Sequence, residues 1–287
     1  MEKKYKLIAE LCCNHQGDIN KAKEMIIKAK DCGCNGIKLQ KRTPKLQFTQ
    51  EKYNAPHPNP ENAFGKTYGE HRENLEFSPE QHAELKLFAE EQGLEYSCSI
   101  FDIISTKQIL SINPKNIKIP STTNNNIEVL EYIAKNFNGT IHISLGMTTK
   151  TEENQIIDIL KKYSKLKNTI LYHCVSSYPV ADRNMSLMEI TRLKQSYGDN
   201  ILAIGYSGHN EGSLADSIAL ALGATYFERH FTFDKMAKGS DHKISLDYNE
   251  MEELTKNLNR TQLFLSYKEK EILDCELNIR RFHKDNH

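Results

Sequence analysis

Short apolar, β-rich runs alternate with amphipathic helical patterns along this chain, and that alternation restricts its fold more than any other feature. Eight runs read as buried strands: Lys6–Leu11, Gly36–Leu39, Leu94–Cys98, Asn116–Ile119, Thr140–Ser144, Thr169–Cys174, Leu202–Tyr206 and Thr225–Glu228. Helical periodicity fills the spaces after them, at Asp18–Cys32, Pro79–Gln92, Ile103–Ser111, Asn126–Asn136, Thr151–Lys165, Ser186–Tyr197, Glu211–Leu222 and Asn249–Leu265. Boundary chemistry agrees: Ser78 precedes Pro79 as a cap before a first-turn proline, and Glu152 and Glu153 sit in a first turn. A helix between consecutive strands makes those strands parallel. Eight such units predict an α/β protein of the (β/α)8 TIM-barrel class rather than an open doubly wound sheet. No Gly-x-Gly-x-x-Gly turn follows the first strand to favour a dinucleotide fold. We expect one barrel domain over residues 1–265 and a charged tail over residues 266–287.

Charge excludes several partner classes. Lys+Arg and Asp+Glu are 38 each, so the formal net charge is zero and no basic field is present to attract nucleic acid or an anionic membrane. No apolar run approaches the ~20 residues needed to span a bilayer. The basic start, MEKKYKLIAE, leads into a strand instead of a signal-type apolar core, so a cytoplasmic location is expected. Cys12, Cys13, Cys98 and Cys174 lie in or beside apolar runs and read as small buried hydrophobes, and all seven cysteines are expected to be reduced thiols. Cys32 and Cys34 are too few and too close for a zinc knuckle.

In a barrel of this class, chemistry collects at the carboxyl ends of the strands. The polar residues falling there are Glu10, Asn14, His15, Lys38, Gln40, Ser97, Ser99, Lys118, Ser121, Ser144, Ser176, Ser177, Tyr178, Ser207, His209, Glu228 and His230. Lys38 lies between Ile37 and Leu39, and Lys118 between Ile117 and Ile119. A buried unpaired ammonium is costly, so these two lysines with a ring of hydroxyls suit an anion pocket, the alternative being lysines that snorkel to the surface. His209 and His230 follow neighbouring parallel strands and emerge at one edge. With Glu228 and Asp241 close in sequence, they suit a single divalent cation, the alternative being two ordinary strand-end histidines. The connection from Lys41 to Phe77 is disproportionately long and follows a strand, so it overlies the carboxyl face as a lid or wall, or is a surface insertion.

The segment IAELCCNHQGDINKAKEMIIKAKDCGCNGIKLQ resembles the opening of the sialic acid synthase family, with its Ala-Glu-Ile-Gly-x-Asn-His-x-Gly and later Lys-Phe-Gln. IKIPS, SLGM, HCVSSYP, GYSGHNEG, FERHFTFD and GSDHKISLD extend the resemblance across residues 5–260. It implies an enzyme that condenses phosphoenolpyruvate with an N-acetylmannosamine-like aldehyde sugar, releasing a nonulosonic acid and phosphate. A divalent metal takes part, usually manganese, with magnesium or cobalt as alternatives. It further implies that His209 and His230 hold the metal and that Lys38, Ser99, Lys118, Ser121, Ser144, Ser176 and Ser207 hold phosphoenolpyruvate. Gln40, Tyr178, Glu228 and Asp241 face the sugar, Glu10 handles protons near the attacking water, and the enzyme is a homodimer.

This chain departs from the family at Cys12-Cys13 for the usual Ile-Gly, at SLGM for Ser-Thr-Gly-Met, at Gly208 for Asp and at Ser176 for Asn. Relatives usually continue into a small antifreeze-like domain that lends an arginine to the partner's site, and this chain is expected to lack it. Arg42, Arg72 or Arg183 is then expected to substitute, or the substrate lacks the group that the arginine reads. Two other readings stand beside the main one: a related synthase using another aldose or a sugar phosphate, and a catalytically idle barrel serving as an assembly subunit.

Overall fold

The structure, a computed structural model, describes residues 4–284; the first three residues and the last three of the tail lie outside the described residues. The strands are β1 (Lys6–Glu10), β2 (Gly36–Lys41), β3 (Glu95–Ile100), β4 (Asn116–Ile119), β5 (Thr140–Ser144), β6 (Thr169–Cys174), β7 (Ala203–Gly208) and β8 (Tyr226–His230). They form a closed barrel in sequence order, and β8 pairs in parallel with β1 to complete it. Around them run α1 (Ile19–Asp31), α2 (Pro79–Glu91), α3 (Ile103–Ser111), α4 (Ile127–Asn136), α5 (Lys150–Lys162), α6 (Met188–Tyr197), α7 (Leu214–Leu222) and α8 (Tyr248–Phe264). The chain is therefore the expected (β/α)8 TIM barrel.

Alternation along each strand divides the protein into an apolar shell and a polar interior. Leu7, Ala9, Ile37, Leu39, Ile117, Ile119, Ile141 and Ile143 are fully buried in the layer under the helices. The helices meet them with single faces; in α1 that face is Ala22, Met25, Ile26 and Ala29, at helical spacing. Each large aliphatic side chain so buried contributes about 1.5–3 kcal/mol. The intervening residues, Glu10, Lys38, Lys118, Ser144 and Glu228, line the cleft at the carboxyl end of the barrel. Gly205 matters to this interior because a Cβ there would sit 2.4 Å from the ring of Tyr172, its neighbour on β6.

Strands β7 and β8 run two residues beyond their expected ends. The apolar runs stop at Tyr206 and Glu228, but the hydrogen-bonded ladder continues through Ser207–Gly208 and Arg229–His230, of which Ser207 and His230 face the cleft. His230 thus belongs to the strand itself. The long connection after β2 is not bare loop: it contains helical turns at Pro44–Gln47, Gln50–Asn54, Pro60–Asn62 and Tyr68–Glu73, the last held by a Thr67/Glu70 capping box. It docks against the segment after β8, where Gly239 N donates to Asn62 Oδ1 at 3.2 Å and Lys238 lies over the Phe64 ring. Past α8 come a turn at Asp274–Glu276 and a short helix at Leu277–His283. No helix among the described residues is long and apolar enough to cross a membrane.

Candidate active site

Four acidic and basic side chains from β1, β2, β4 and β8 meet inside the barrel. Glu10 pairs with Lys38 across β1 and β2, and with His230 across β1 and β8. Lys38 Nζ lies 2.9 Å from Glu10 Oε2 and 2.8 Å from Glu228 Oε2; Lys118 Nζ, from β4, lies 2.8 Å from that same Glu228 oxygen. Lys118 also sits 3.4 Å from the centre of the Tyr172 ring, a cation–π contact in a dry site. All four ionised groups are almost completely buried. Burial pushes the Glu228 carboxyl up, but the two lysines outweigh it and hold the group far below the usual carboxylate range. Burial likewise opposes the Lys38 ammonium, and Glu10 and Glu228 raise it above a free lysine. For Lys118 burial wins and lowers it to about 8, with only Glu228 as a close counter-ion.

An ammonium has three donors. Lys38 spends two on carboxylates and Lys118 one, so both keep donors for a ligand in the cleft. Ser99, Ser121, Ser144 and Ser207 line the same cleft. Ser176 stands behind it, its Oγ 2.8 Å from Ser121 Oγ.

Across the mouth, His209 and His230 have ring centroids 5.5 Å apart. His209 Nδ1 is 3.1 Å from the Val175 carbonyl. A carbonyl only accepts, so Nδ1 carries the proton and Nε2 presents its lone pair, the form a metal binds. Burial, with the neighbouring His230, lowers the imidazole to about 3 and keeps it neutral. Arg229 braces the loop beyond: it donates to Asn210 O at 2.7 Å and Gly212 O at 3.0 Å, and pairs with buried Asp216 of α7. Tyr178 packs over the His209 ring at 4.3 Å.

His230 Nδ1 is buried without a hydrogen-bond partner. Cys12, His230 and Asp241 each bring one ligand atom within 4.8 Å of the others. An orphaned imidazole nitrogen beside a carboxylate and a thiol, with the neutral His209 near it, fits a divalent cation. The group that could hold a cation thus contains His230, one of the expected pair, together with Asp241, placed by sequence at the sugar, and Cys12.

Cys12 is buried and Cys13 half-buried, but neither joins the apolar core expected for them. Cys12 takes φ +49° in the turn after β1, which turns its sulfur towards the cleft, where it donates to Asp241 Oδ2 and accepts from Gln40 Nε2 at 3.0 Å. Cys13 Sγ faces Arg42 Nη1 at 3.7 Å and Arg72 Nη1 at 3.9 Å. Cys98 does behave as a core residue, and all seven cysteines are free.

Of the arginines, Arg72 lines the cleft from helix Tyr68–Glu73 and its Nε is buried without a partner. Arg42 lies behind, held by Glu76, by Gln40 Oε1 and by the Phe101 ring. Arg183 is exposed and does not line the cleft. Among the residues assigned from sequence, Glu10, Lys38, Gln40, Ser99, Lys118, Ser121, Ser144, Tyr178, Ser207, His209, Glu228, His230 and Asp241 all line one cleft, and only Ser176 stands back. Glu228 lies deep between the lysines, where sequence placed it facing the sugar. Phe101, Pro120, Thr122 and Cys174 complete the lining; being apolar, small or ordinary loop residues, they carried no sequence signal.

Comparison with known proteins agrees with this geometry. Residues 25–270 match the NeuB family. The human N-acetylneuraminate-9-phosphate synthase is 36% identical over 271 residues, spanning 94% of this chain and 74% of that protein. The N,N'-diacetyllegionaminic acid synthase of Legionella pneumophila is 34% identical over 286 residues, spanning 96% of this chain and 77% of that protein. Among solved structures, the N-acetylneuraminic acid (sialic acid) synthetase of Leptospira borgpetersenii, in complex with citrate, superposes with a TM-score of 0.83 at 28% identity over 99% of this chain and 93% of that one. Its fold, its cleft and its relatives together establish that this chain belongs to the NeuB family.

Proposed function

We propose that the chain condenses phosphoenolpyruvate with an N-acetylmannosamine-like aldehyde sugar, giving a nonulosonic acid and phosphate in a metal-dependent reaction. The observation that carries this reading is the pair of buried lysines sharing Glu228 on one side of a cleft whose other side is the His209/His230 edge. Lys38 and Lys118, with donors to spare, hold the phosphate and carboxylate of phosphoenolpyruvate, and Ser99, Ser121, Ser144 and Ser207 add hydroxyl donors. Ser176 orients Ser121. Glu228 sets the two ammoniums in place, in keeping with its depth. Gln40, Tyr178 and Asp241 line the side left for the sugar. His209 and His230 hold the cation, with manganese, magnesium and cobalt as candidates, and a cation bound there polarises the aldehyde oxygen.

The enol carbon forms a bond to the aldehyde carbon, and the aldehyde oxygen gains a proton to become a hydroxyl. Water adds to the central carbon of the former phosphoenolpyruvate and gives up a proton to Glu10, whose carboxylate is held by Lys38 and by the Cys12 N–H at 2.8 Å. The bond from that carbon to the phosphate oxygen then breaks as the new hydroxyl becomes the ketone carbonyl, its proton leaves with the phosphate, and the lysines stabilise the departing group. The same reading includes a cytoplasmic homodimer, for which the family resemblance is the support, and a barrel domain followed by an appended tail from residue 266.

A second reading, in which the sugar itself carries a phosphate, is favoured by two observations. The human relative is named a 9-phosphate synthase, and Arg72 brings a cation with an unpartnered Nε to the cleft wall. Phosphate release from phosphoenolpyruvate, followed with manganese against N-acetylmannosamine, its 6-phosphate, dideoxy-diacetamido hexoses and simple aldoses, separates the readings. Release that needs both sugar and metal is expected, and the sugar that supports it fixes the substrate. Silence from folded, metal-loaded protein with every sugar would overturn the synthase reading in favour of an idle barrel.

A further inference from the structure

We infer that Cys12 is a metal ligand, so that the cation is held by a thiolate as well as by His230, Asp241 and His209, and that the site prefers cobalt- or zinc-like ions over manganese. This deepens the metal-dependent reading above and rests on it. The thiol, the imidazole and the carboxylate already lie within 4.8 Å of one another, from the turn after β1, from β8 and from the loop after it. Around a tetrahedral ion with bonds of ~2.0–2.3 Å the ligand atoms sit about 3.5 Å apart, a spacing side-chain rotation reaches by opening the Cys12–Asp241 hydrogen bond and drawing in the wider contacts.

Three independent features point the same way. His230 Nδ1 is buried and has no protein partner, so a purely structural hydrogen-bonded cluster leaves it unexplained. Gln40 Nε2 donates to the Cys12 sulfur at 3.0 Å, the outer hydrogen bond that a bound thiolate uses. Cys12 keeps φ +49° although it has a Cβ, a conformation that L side chains disfavour, and that turn brings its sulfur to Asp241. When the cation enters, the S–M bond replaces the S–H bond, the proton leaves to solvent, and the Asp241 oxygen that accepted it becomes free to bind. A soft sulfur donor among nitrogen and oxygen ligands raises affinity for cobalt and zinc more than for manganese.

The test is cobalt titration of the metal-free full chain, read by thiolate-to-cobalt charge-transfer absorption in the near ultraviolet and, in parallel, by equilibrium dialysis. Wild type is expected to bind one cobalt with the charge-transfer band. Cys12→Ser and Cys12→Gly are both expected to lose the band and to bind cobalt roughly 10- to 100-fold more weakly, with a smaller loss for manganese. Glycine suits the backbone at this position, so Cys12→Gly keeps the test decisive if the serine variant folds poorly. Cys13→Ser retains the band. Cobalt bound in a His230-dependent manner without the band, or with a band that survives in Cys12→Gly, would overturn the inference while leaving the metal reading intact. No cobalt bound at all would overturn both.

Discussion

The two sides of the cleft are built on different principles. On the lysine side each ammonium has a carboxylate partner within the protein: one oxygen of Glu228 bridges Lys38 and Lys118, and Glu10 takes a second bond from Lys38, while the other Glu228 oxygen is buried without a partner. On the histidine side burial keeps His209 neutral, Asp241 accepts from the Cys12 thiol and the Ser240 hydroxyl, and the His230 Nδ1 atom has nothing to bond. The first arrangement pairs its charges and so fixes its ammonium groups before a ligand arrives, which lowers reorganisation on binding. The second is incomplete until something with several open valences enters it. The contrast teaches that one barrel mouth can position an anion by internal ion pairing and a cation by leaving its ligands unspent.

Breaking each side separately gives unlike results. His209→Ala is expected to reduce phosphate release by on the order of a thousandfold, since several kcal/mol of Lewis-acid stabilisation are lost, while the melting temperature stays near wild type. Full activity in that variant would refute the metal assignment. Glu228→Leu reverses the pattern by leaving two buried ammoniums without their shared anion. Chemical denaturation should show a loss of about 3–5 kcal/mol of stability, and a loss below about 1 kcal/mol would mean that the network is not what holds the lysines.

The lysine side also carries a pH signature. Lys118 is lowered to about 8, so in the folded protein it loses its proton at a pH where an unfolded chain, at 10.5, still keeps it. The kcat/KM for phosphoenolpyruvate should therefore fall as pH rises through about 8, roughly tenfold per unit beyond it, and Lys118→Arg should remove that limb. Over the same interval, from about 8 to 10.5, the unfolded chain binds the extra proton, so this group's contribution to stability rises with pH. The smallest effect is expected at the cleft wall. Arg72→Ala should raise the KM for the sugar roughly tenfold with the fold unchanged, the loss of one charge-assisted contact, whereas unchanged sugar affinity would remove Arg72 from the site.

The barrel was legible because buried parallel strands and one-sided helices write their periods directly into Leu, Ile and Val spacing, as β4, β5 and α1 illustrate. The cleft was legible for the same reason in reverse: Lys38 and Lys118 break apolar runs where a charge has to be explained. What escaped were facts of three-dimensional pairing. Glu228 lies 110 residues from Lys118, and no local pattern announces that it bridges both lysines. Cys12 looked like core because burial alone does not reveal a left-handed turn that redirects the sulfur. Arg72 was one of three arginines offered by sequence, and only the helical turn that carries it decides that it, and neither Arg42 nor Arg183, lines the cleft.

The most direct test of the account is an anomalous difference map from crystals grown with manganese and phosphoenolpyruvate. The account predicts one manganese peak in bonding contact with His209 and His230, and phosphoenolpyruvate against Lys38 and Lys118 on the opposite side of the same cleft. A manganese peak remote from both histidines, or phosphoenolpyruvate bound away from the two lysines, would contradict it.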